Sequence, residues 1–149
     1  MKLEEAIHQK EFAHEWQKAT INLLYSHSWL IHQIKRTLKK HGVTPQQYNV
    51  LRILRGQHPA PLTTSVIRDR MLDRMSDASR IVERLHKKGW VIRKVCLADK
   101  RLVDIVISGQ GIEVLKRIDM ERHIIDKAIS NLTEGEAQEL NRLLDKMRG

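Results

Sequence analysis

The fold is decided by residues 76–93, which read SDASRIVERLHKKGWVIR. In the first part of this stretch, three apolar residues recur at the spacing of one helical face: Ile81, Val82 and Leu85. Gly89 then interrupts the helical pattern, as is typical of a helix C-terminus. The apolar, β-branched run that starts at Val91 is typical of a strand. We therefore expect a helix over residues 76–88 that leads directly into a β-strand.

A second strand is predicted shortly after the first. Residues 91–96 and 102–107 are both rich in β-branched and apolar side chains. The connecting residues 98–101 read ADKR, a short polar segment that favours a turn. The two strands are therefore expected to pair as a β-hairpin.

Two further helices are predicted on the N-terminal side. Thr44, Pro45 and Gln47 form a helix-start pattern of N-cap, first helical residue and third helical residue, and this helix ends near Gly56. After a proline-containing loop, residues 63–71 form the next candidate helix. The order in this region is therefore three helices followed by a hairpin.

Long helical segments flank this region on both sides. The first is predicted from one face that ends before Gly42: Trp16, Thr20, Leu23, His27, Leu30, Ile34 and Leu38. A second stripe follows Ser108: Ile112, Leu115, Ile118, Ile125 and Ile129. A capping box at Thr133 and Glu136 opens a last helix that carries Leu140, Leu144 and Met147. Because a core this small cannot bury all these faces, we expect a partner, most simply a second copy of the chain.

Three helices followed by a hairpin is the order of a winged helix-turn-helix. We expect a mainly α fold with a small β-hairpin wing, organised as one intertwined domain. Residues 1–42 would form an N-terminal dimerisation region, residues 43–108 the winged helix-turn-helix, and residues 109–149 the C-terminal dimerisation helices. A helix of this diameter fits the major groove of duplex DNA, and a thin hairpin can reach the neighbouring minor groove.

Positive charge is concentrated in the same region. The chain of 149 residues has a formal net charge of +9. Residues 68–101 contain eleven Lys and Arg residues against five Asp and Glu residues, whereas the chain after residue 104 contains seven against eight. This uneven distribution indicates a surface that faces phosphate groups.

The candidate DNA contacts lie on the predicted third helix and on the hairpin. At and near the helix start they are Ser76, Asp77, Ser79, Arg80 and Arg84; on the hairpin they are Arg93, Lys94, Asp99, Lys100 and Arg101. We expect Ser79 and Arg80 to contact the major groove. A carboxylate two residues from Arg101 can fix the direction of its side chain, and a narrow minor groove attracts arginine.

These stretches resemble the multiple-antibiotic-resistance regulator (MarR) family. Residues 76–93 are similar to the recognition helix and first wing strand of the family, and residues 44–54 to its second helix. The wing signature is Asp-x-Arg, a strand, then Leu-Thr-x-x-Gly, and here Ile107-Ser108 replaces Leu-Thr. The resemblance covers about residues 40–115. It implies a transcriptional regulator, most simply a repressor, that binds a palindromic operator as a homodimer and inserts Arg101, held by Asp99, into the minor groove.

Members of this family commonly respond to small aromatic or lipophilic effectors. The resemblance thus suggests an effector pocket lined by Trp16, Tyr25, Trp29 and Tyr48. The alternative is that these four aromatic residues belong to ordinary helix and dimer packing, which the sequence favours.

Several other readings find little support in the sequence. The eight histidines show no metal-binding spacing, so no metal or cofactor is expected. Cys96 in a strand is read as a small structural residue rather than a redox sensor. Nucleotide-binding and nucleophile motifs are absent, which argues against an enzyme. The low aromatic content of 4% argues against single-stranded RNA as the ligand.

The cellular location and one rival function complete the expectations. The single cysteine, the acidic start of the chain and the lack of a long apolar run predict a cytoplasmic protein that associates with the nucleoid. The alternative function is a helical protein–protein adaptor that keeps the winged fold without reading DNA.

Overall fold

The structure is a computed structural model, and it describes residues 1–97, 99, 101–121 and 130–149. The elements follow in the order α1 (Leu3–Ala6), α2 (Glu15–Lys39), α3 (Pro45–Gln57), α4 (Thr64–Arg70), α5 (Ala78–Lys87), β1 (Val91–Val95), β2 (Val103–Ile107), α6 (Gly109–Met120) and α7 (Glu134–Arg148). The predicted class, mainly α with a β-hairpin wing, is confirmed.

Helix boundaries follow the capping chemistry that the sequence contains. Thr44 begins α3 as predicted: its hydroxyl accepts from the Gln47 N–H at 3.1 Å, and the Gln47 side chain accepts from the Thr44 N–H at 3.2 Å. A reciprocal pair between Thr133 and Glu136 begins α7 in the same way. Gly42 adopts a φ of 65°, a left-handed conformation that suits glycine, in the turn after α2.

Several predicted boundaries were wrong by one or two residues. The third helix of the core begins at Ala78 and not at Ser76, because Asp77 is its N-cap and the residues before it form a turn. Both strands are one residue shorter than predicted. The short helix α1 was not predicted. Ile125 and Ile129 of the predicted C-terminal stripe lie outside the described residues.

The central core joins α3, α4 and α5 to the wing. Its buried side chains come from these elements and, through Leu115, from α6: Val50, Leu51, Leu54, Ile67, Val82, Leu85, Val91, Ile105 and Leu115. β1 and β2 pair antiparallel, with Val91 opposite Ile107 and Val95 opposite Val103. Leu62 forms an isolated antiparallel bridge to β2: its N–H donates to the Ile105 carbonyl, and its carbonyl accepts from the Ile105 N–H. Apolar packing therefore fixes the wing against the three helices.

A smaller second core connects the end of α2 to α6. It consists of Leu38, Val43, Val114 and Ile118. Beside it Arg55 of α3 donates to Asp119 of α6 at 2.6 Å. Since Leu115 belongs to the central core, α6 packs on both cores, although the predicted division of the chain begins a new region at residue 109.

The terminal helices leave most of their apolar surface uncovered. In α2 the buried residues are Thr37 and Leu38, both at its C-terminal end. Among the fifteen residues of α7, all described, none is buried. Large apolar side chains are exposed on both helices: Trp16, Leu23, Leu24, Trp29, Leu140, Leu143 and Met147. Within the described parts of the chain, no helix is both long enough and apolar enough to cross a bilayer.

Candidate nucleic-acid interface

Helix α5 separates a buried apolar face from an exposed polar one. Ala78, Val82 and Leu85 are buried in the core. The opposite face presents Ser79, Arg80, Glu83, Arg84 and Lys87 to solvent (a set with more donors than acceptors). Hydroxyl and guanidinium donors on one exposed helical face can bond to base edges and to phosphate oxygens.

The start of α5 is fixed by two aspartates. The Asp77 carboxylate accepts from the Arg80 N–H at 3.0 Å and so occupies a backbone donor that would otherwise point outward. The Ser76 hydroxyl donates to Asp73 at 2.7 Å. The pKa of Asp73 is lowered because the Ser76 hydroxyl and the Met75 N–H both donate to its carboxylate. Ser76 and Asp77 were predicted as contacts on the helix; they lie instead just before it and set its orientation.

Two shallow grooves meet at the N-terminus of α5. The first, of about 330 Å³, lies between the start of α3 and α5, and Arg80 and Arg84 both line it. The second, of about 350 Å³, lies between α4 and α5 and is lined by Thr64, Ser65, Arg68, Ser76 and Ser79 among others. Hydroxyl groups and guanidinium groups in one groove are suited to phosphate oxygens.

Sequence reasoning missed the contribution of α3 and α4 to these grooves. Thr44 and Gln46 line the first groove, and Thr64, Ser65 and Arg68 line the second. A signal was present in the three consecutive hydroxyl residues at positions 63–65, which are the N-cap and first two residues of α4.

On the wing, Asp99 holds the Arg101 side chain, as expected from their spacing. Arg101 donates to Asp99 from Nε at 3.2 Å and from Nη2 at 3.3 Å, and its backbone N–H donates to the same carboxylate at 3.0 Å. These bonds lower the pKa of Asp99, so the carboxylate stays charged at neutral pH. The Arg101 side chain is nevertheless 90% exposed. A held but exposed guanidinium is oriented for a ligand in advance.

Of the three remaining candidates on the predicted hairpin, the structure describes two. Arg93 and Lys94 are exposed on β1. Lys100 lies outside the described residues.

A set of polar contacts ties α5 to the wing and to α6. The Ser108 hydroxyl donates to the Gly89 carbonyl at 2.6 Å and accepts from the Gly111 N–H at 3.1 Å. The Ser108 N–H donates to the Trp90 carbonyl at 2.9 Å. One serine therefore connects the turn after α5, the end of β2 and the start of α6.

Lysine 88 connects the end of α5 to the turn after α2. Its Nζ donates to the Gly42 carbonyl at 2.6 Å and lies 4.4 Å from the centroid of the Trp90 ring. Lys88 thus serves packing within the chain and is not free to face a ligand.

The four aromatic candidates for an effector pocket are not gathered together within one chain. Trp16 is 80% exposed and lies thirteen residues before Trp29 on α2, about 20 Å along the helix axis. Tyr25 is half-buried, and Tyr48 packs against both cores while its hydroxyl accepts from Arg52 at 3.0 Å. Tyr48 packs beside Leu38, at the opposite end of α2 from Trp16, so these two side chains do not line one pocket within the chain.

The described part of the chain contains one cysteine, and no cluster of its side chains is suited to a metal ion. There, no three His, Cys, Asp or Glu side chains are placed to hold a metal ion. Cys96 is half-buried in the wing, consistent with its interpretation as a structural residue.

Comparison with known proteins agrees with this architecture. A sequence profile described as the MarR family matches residues 41–102, which span α3, α4, α5, β1 and most of the wing turn. The HTH-type transcriptional regulator YkoM of Bacillus subtilis is 30% identical over 112 residues, which cover 74% of this chain and 71% of YkoM. The chain belongs to the MarR family.

Solved MarR-family structures share the whole fold. MarR of Escherichia coli, solved with operator DNA, matches with a TM-score of 0.79 at 22% identity, over 93% of this chain and 99% of that one. BpsR of Bordetella bronchiseptica, whose DNA binding is regulated by 6-hydroxynicotinic acid, matches with a TM-score of 0.74 at 18% identity, over 89% and 99%. This MarR-family chain thus shares the fold of these structures over about nine-tenths of its length.

Proposed function

We propose that this MarR-family chain is a repressor that binds a palindromic operator as a homodimer in the cytoplasm. A small effector then alters its affinity for the operator. The observation that carries the proposal is the exposed face of α5, where Ser79, Arg80 and Arg84 stand opposite a face buried in the core. In this arrangement α5 enters the major groove. Arg101, oriented by Asp99, enters the minor groove beside it.

Phosphate contacts position the protein on the duplex. The hydroxyl groups of Thr64 and Ser65 and the Arg68 guanidinium lie next to the start of α5, where they can bond to the backbone on one side of the groove. The exposed Arg93 and Lys94 on the wing extend this contact, and Lys100, close to Arg101 in sequence, adds a further phosphate contact. The operator's sequence is then read mainly by Ser79, Arg80 and Arg101.

The homodimer follows from the uncovered apolar faces of α2 and α7. A symmetric pair would bury these faces and place two copies of α5 about one turn of DNA apart. The effector is supported by the similarity to BpsR, whose DNA binding a small aromatic acid regulates.

Footprinting on genomic DNA fragments tests the proposal. We expect a protected site with two-fold symmetry, and we expect Arg80→Glu and Arg101→Glu to abolish the protection. Lys116→Glu is the matched control, because Lys116 is exposed on α6 and pairs locally with Glu113. Protection that survives both reversals, or no protected fragment at all, would instead favour a protein–protein adaptor.

A further inference from the structure

The turn between α4 and α5 exposes two large apolar side chains. Leu72 is 92% exposed and Met75 is 94% exposed, although the neighbouring Met71 is buried in the core. Single exposed apolar residues are common on protein surfaces. Two of them on one short turn, directly before the helix that we assign to the major groove, suggest a ligand with an apolar group.

Hydrogen bonds hold this turn rigidly. The Leu72 N–H donates to the side chain of Asn49 in α3 at 2.9 Å. At the other end, the Met75 N–H donates to the Asp73 carboxylate at 3.0 Å, and the Ser76 hydroxyl donates to the same group at 2.7 Å. The backbone of Met75 is therefore fixed before any ligand arrives, so that little backbone ordering opposes binding.

The stretch that contains the turn has a small excess of positive charge. Residues 68–80 carry four exposed arginines against three exposed aspartates, and Arg74 stands within the turn itself, next to Met75. An exposed apolar side chain beside a guanidinium group complements a polyanion that carries apolar groups of its own. Duplex DNA is such a polyanion, since the C5-methyl group of thymine projects into the major groove between the phosphate backbones.

We propose that Met75 contacts a thymine C5-methyl group in each half of the operator. The inference rests on the proposed function and adds a specificity-determining residue to it. Met75 immediately precedes Ser76, which lines both grooves at the start of α5. Its flexible thioether side chain can follow the shape of a methyl group and shield it from water.

The experiment starts from a duplex selected for tight binding from a random library. Each thymine of that duplex is replaced, one at a time, by deoxyuridine, which removes only the methyl group. Dissociation constants are measured for the unaltered protein and for Met75→Ala. Leu72→Ala is the matched control, because Leu72 is equally exposed but lies at the α4 end of the turn. Met75→Leu tests rescue by another apolar side chain.

We expect one symmetric pair of thymines at which deoxyuridine weakens binding by the unaltered protein about fourfold per methyl group. At this position Met75→Ala should bind the two duplexes equally, whereas Leu72→Ala and Met75→Leu should keep the difference. Specific binding in which every thymine responds identically in the unaltered protein and in Met75→Ala would overturn the inference alone. Failure to select any duplex would overturn the proposed function as well.

Discussion

At the scale of single residues, the Asp99 carboxylate fixes the direction of the Arg101 side chain on the wing. The two side chains form a two-point contact while the guanidinium stays exposed. Because the pKa of Asp99 is lowered, the pair is present above the ordinary pKa of an aspartate and is lost only as the pH falls through the lowered value. At neutral pH the direction of the Arg101 side chain is therefore already set before it meets any ligand.

Arg101→Ala is expected to weaken operator binding about tenfold to a hundredfold, because an arginine contact in the groove is lost. Asp99→Asn should weaken it less, about threefold, since the guanidinium remains but its orientation is no longer held by a charged pair. Arg148→Ala, at the far end of the chain, is the control. Dissociation constants from fluorescence anisotropy check the order; an Arg101→Ala protein with unchanged operator affinity would refute the assignment of the wing.

At the scale of secondary-structure elements, the approach of α6 to the turn after α5 requires a glycine. A Cβ atom built on Gly111 would lie 2.3 Å from the Trp90 carbonyl oxygen and 2.8 Å from the Ile107 side chain. The Ser108 hydroxyl, at the N-cap of α6, also donates to the Gly89 carbonyl in the turn after α5. The start of α6 is thus fitted against the segment that joins α5 to the wing.

Gly111→Ala is expected to lower the free energy of unfolding by about 2 to 3 kcal/mol, because backbone must move to admit the methyl group. Gly109→Ala is the matched control: it lies in the same helix, a Cβ there meets no described atom within 4 Å, and alanine should be neutral or slightly stabilising. Urea unfolding at one fixed protein concentration compares the two, since in a dimer, as proposed above, the midpoint would depend on concentration. Equal stability of the two variants would contradict the close approach of α6.

At the scale of the whole molecule, the exposed apolar faces of the terminal helices favour pairing of two chains. Leu140, Leu143 and Met147 form one stripe along α7, and all three are exposed in the single chain. Four large apolar side chains of α2 are exposed as well: Trp16, Leu23, Leu24 and Trp29. Burial of such faces against a second copy would stabilise a dimer at about 25 cal/mol for each Å² removed from water.

Leu143→Glu is therefore expected to convert most of the protein to monomer at micromolar concentration, because the dimer would bury two uncompensated charges. Gln138→Glu, on the opposite side of the same helix, is the matched control and should stay dimeric. Sedimentation velocity measures the distribution. A monomeric unaltered protein, or a Leu143→Glu protein that remains dimeric, would count against pairing through α7.

The sequence alone determined the order of the elements and the chemistry of the wing, because both depend on neighbouring residues. Capping pairs such as Thr44 with Gln47 and the Asp99–Arg101 contact span two or three positions, and they form as predicted. Tertiary structure decided what distant residues do together. The hydroxyl groups of α4 lie beside the start of α5, and the Lys88 ammonium donates to the Gly42 carbonyl. The Met75 side chain is left exposed to solvent. These outcomes depend on how helices pack, and a pattern read along one segment contains no information about its neighbours in space.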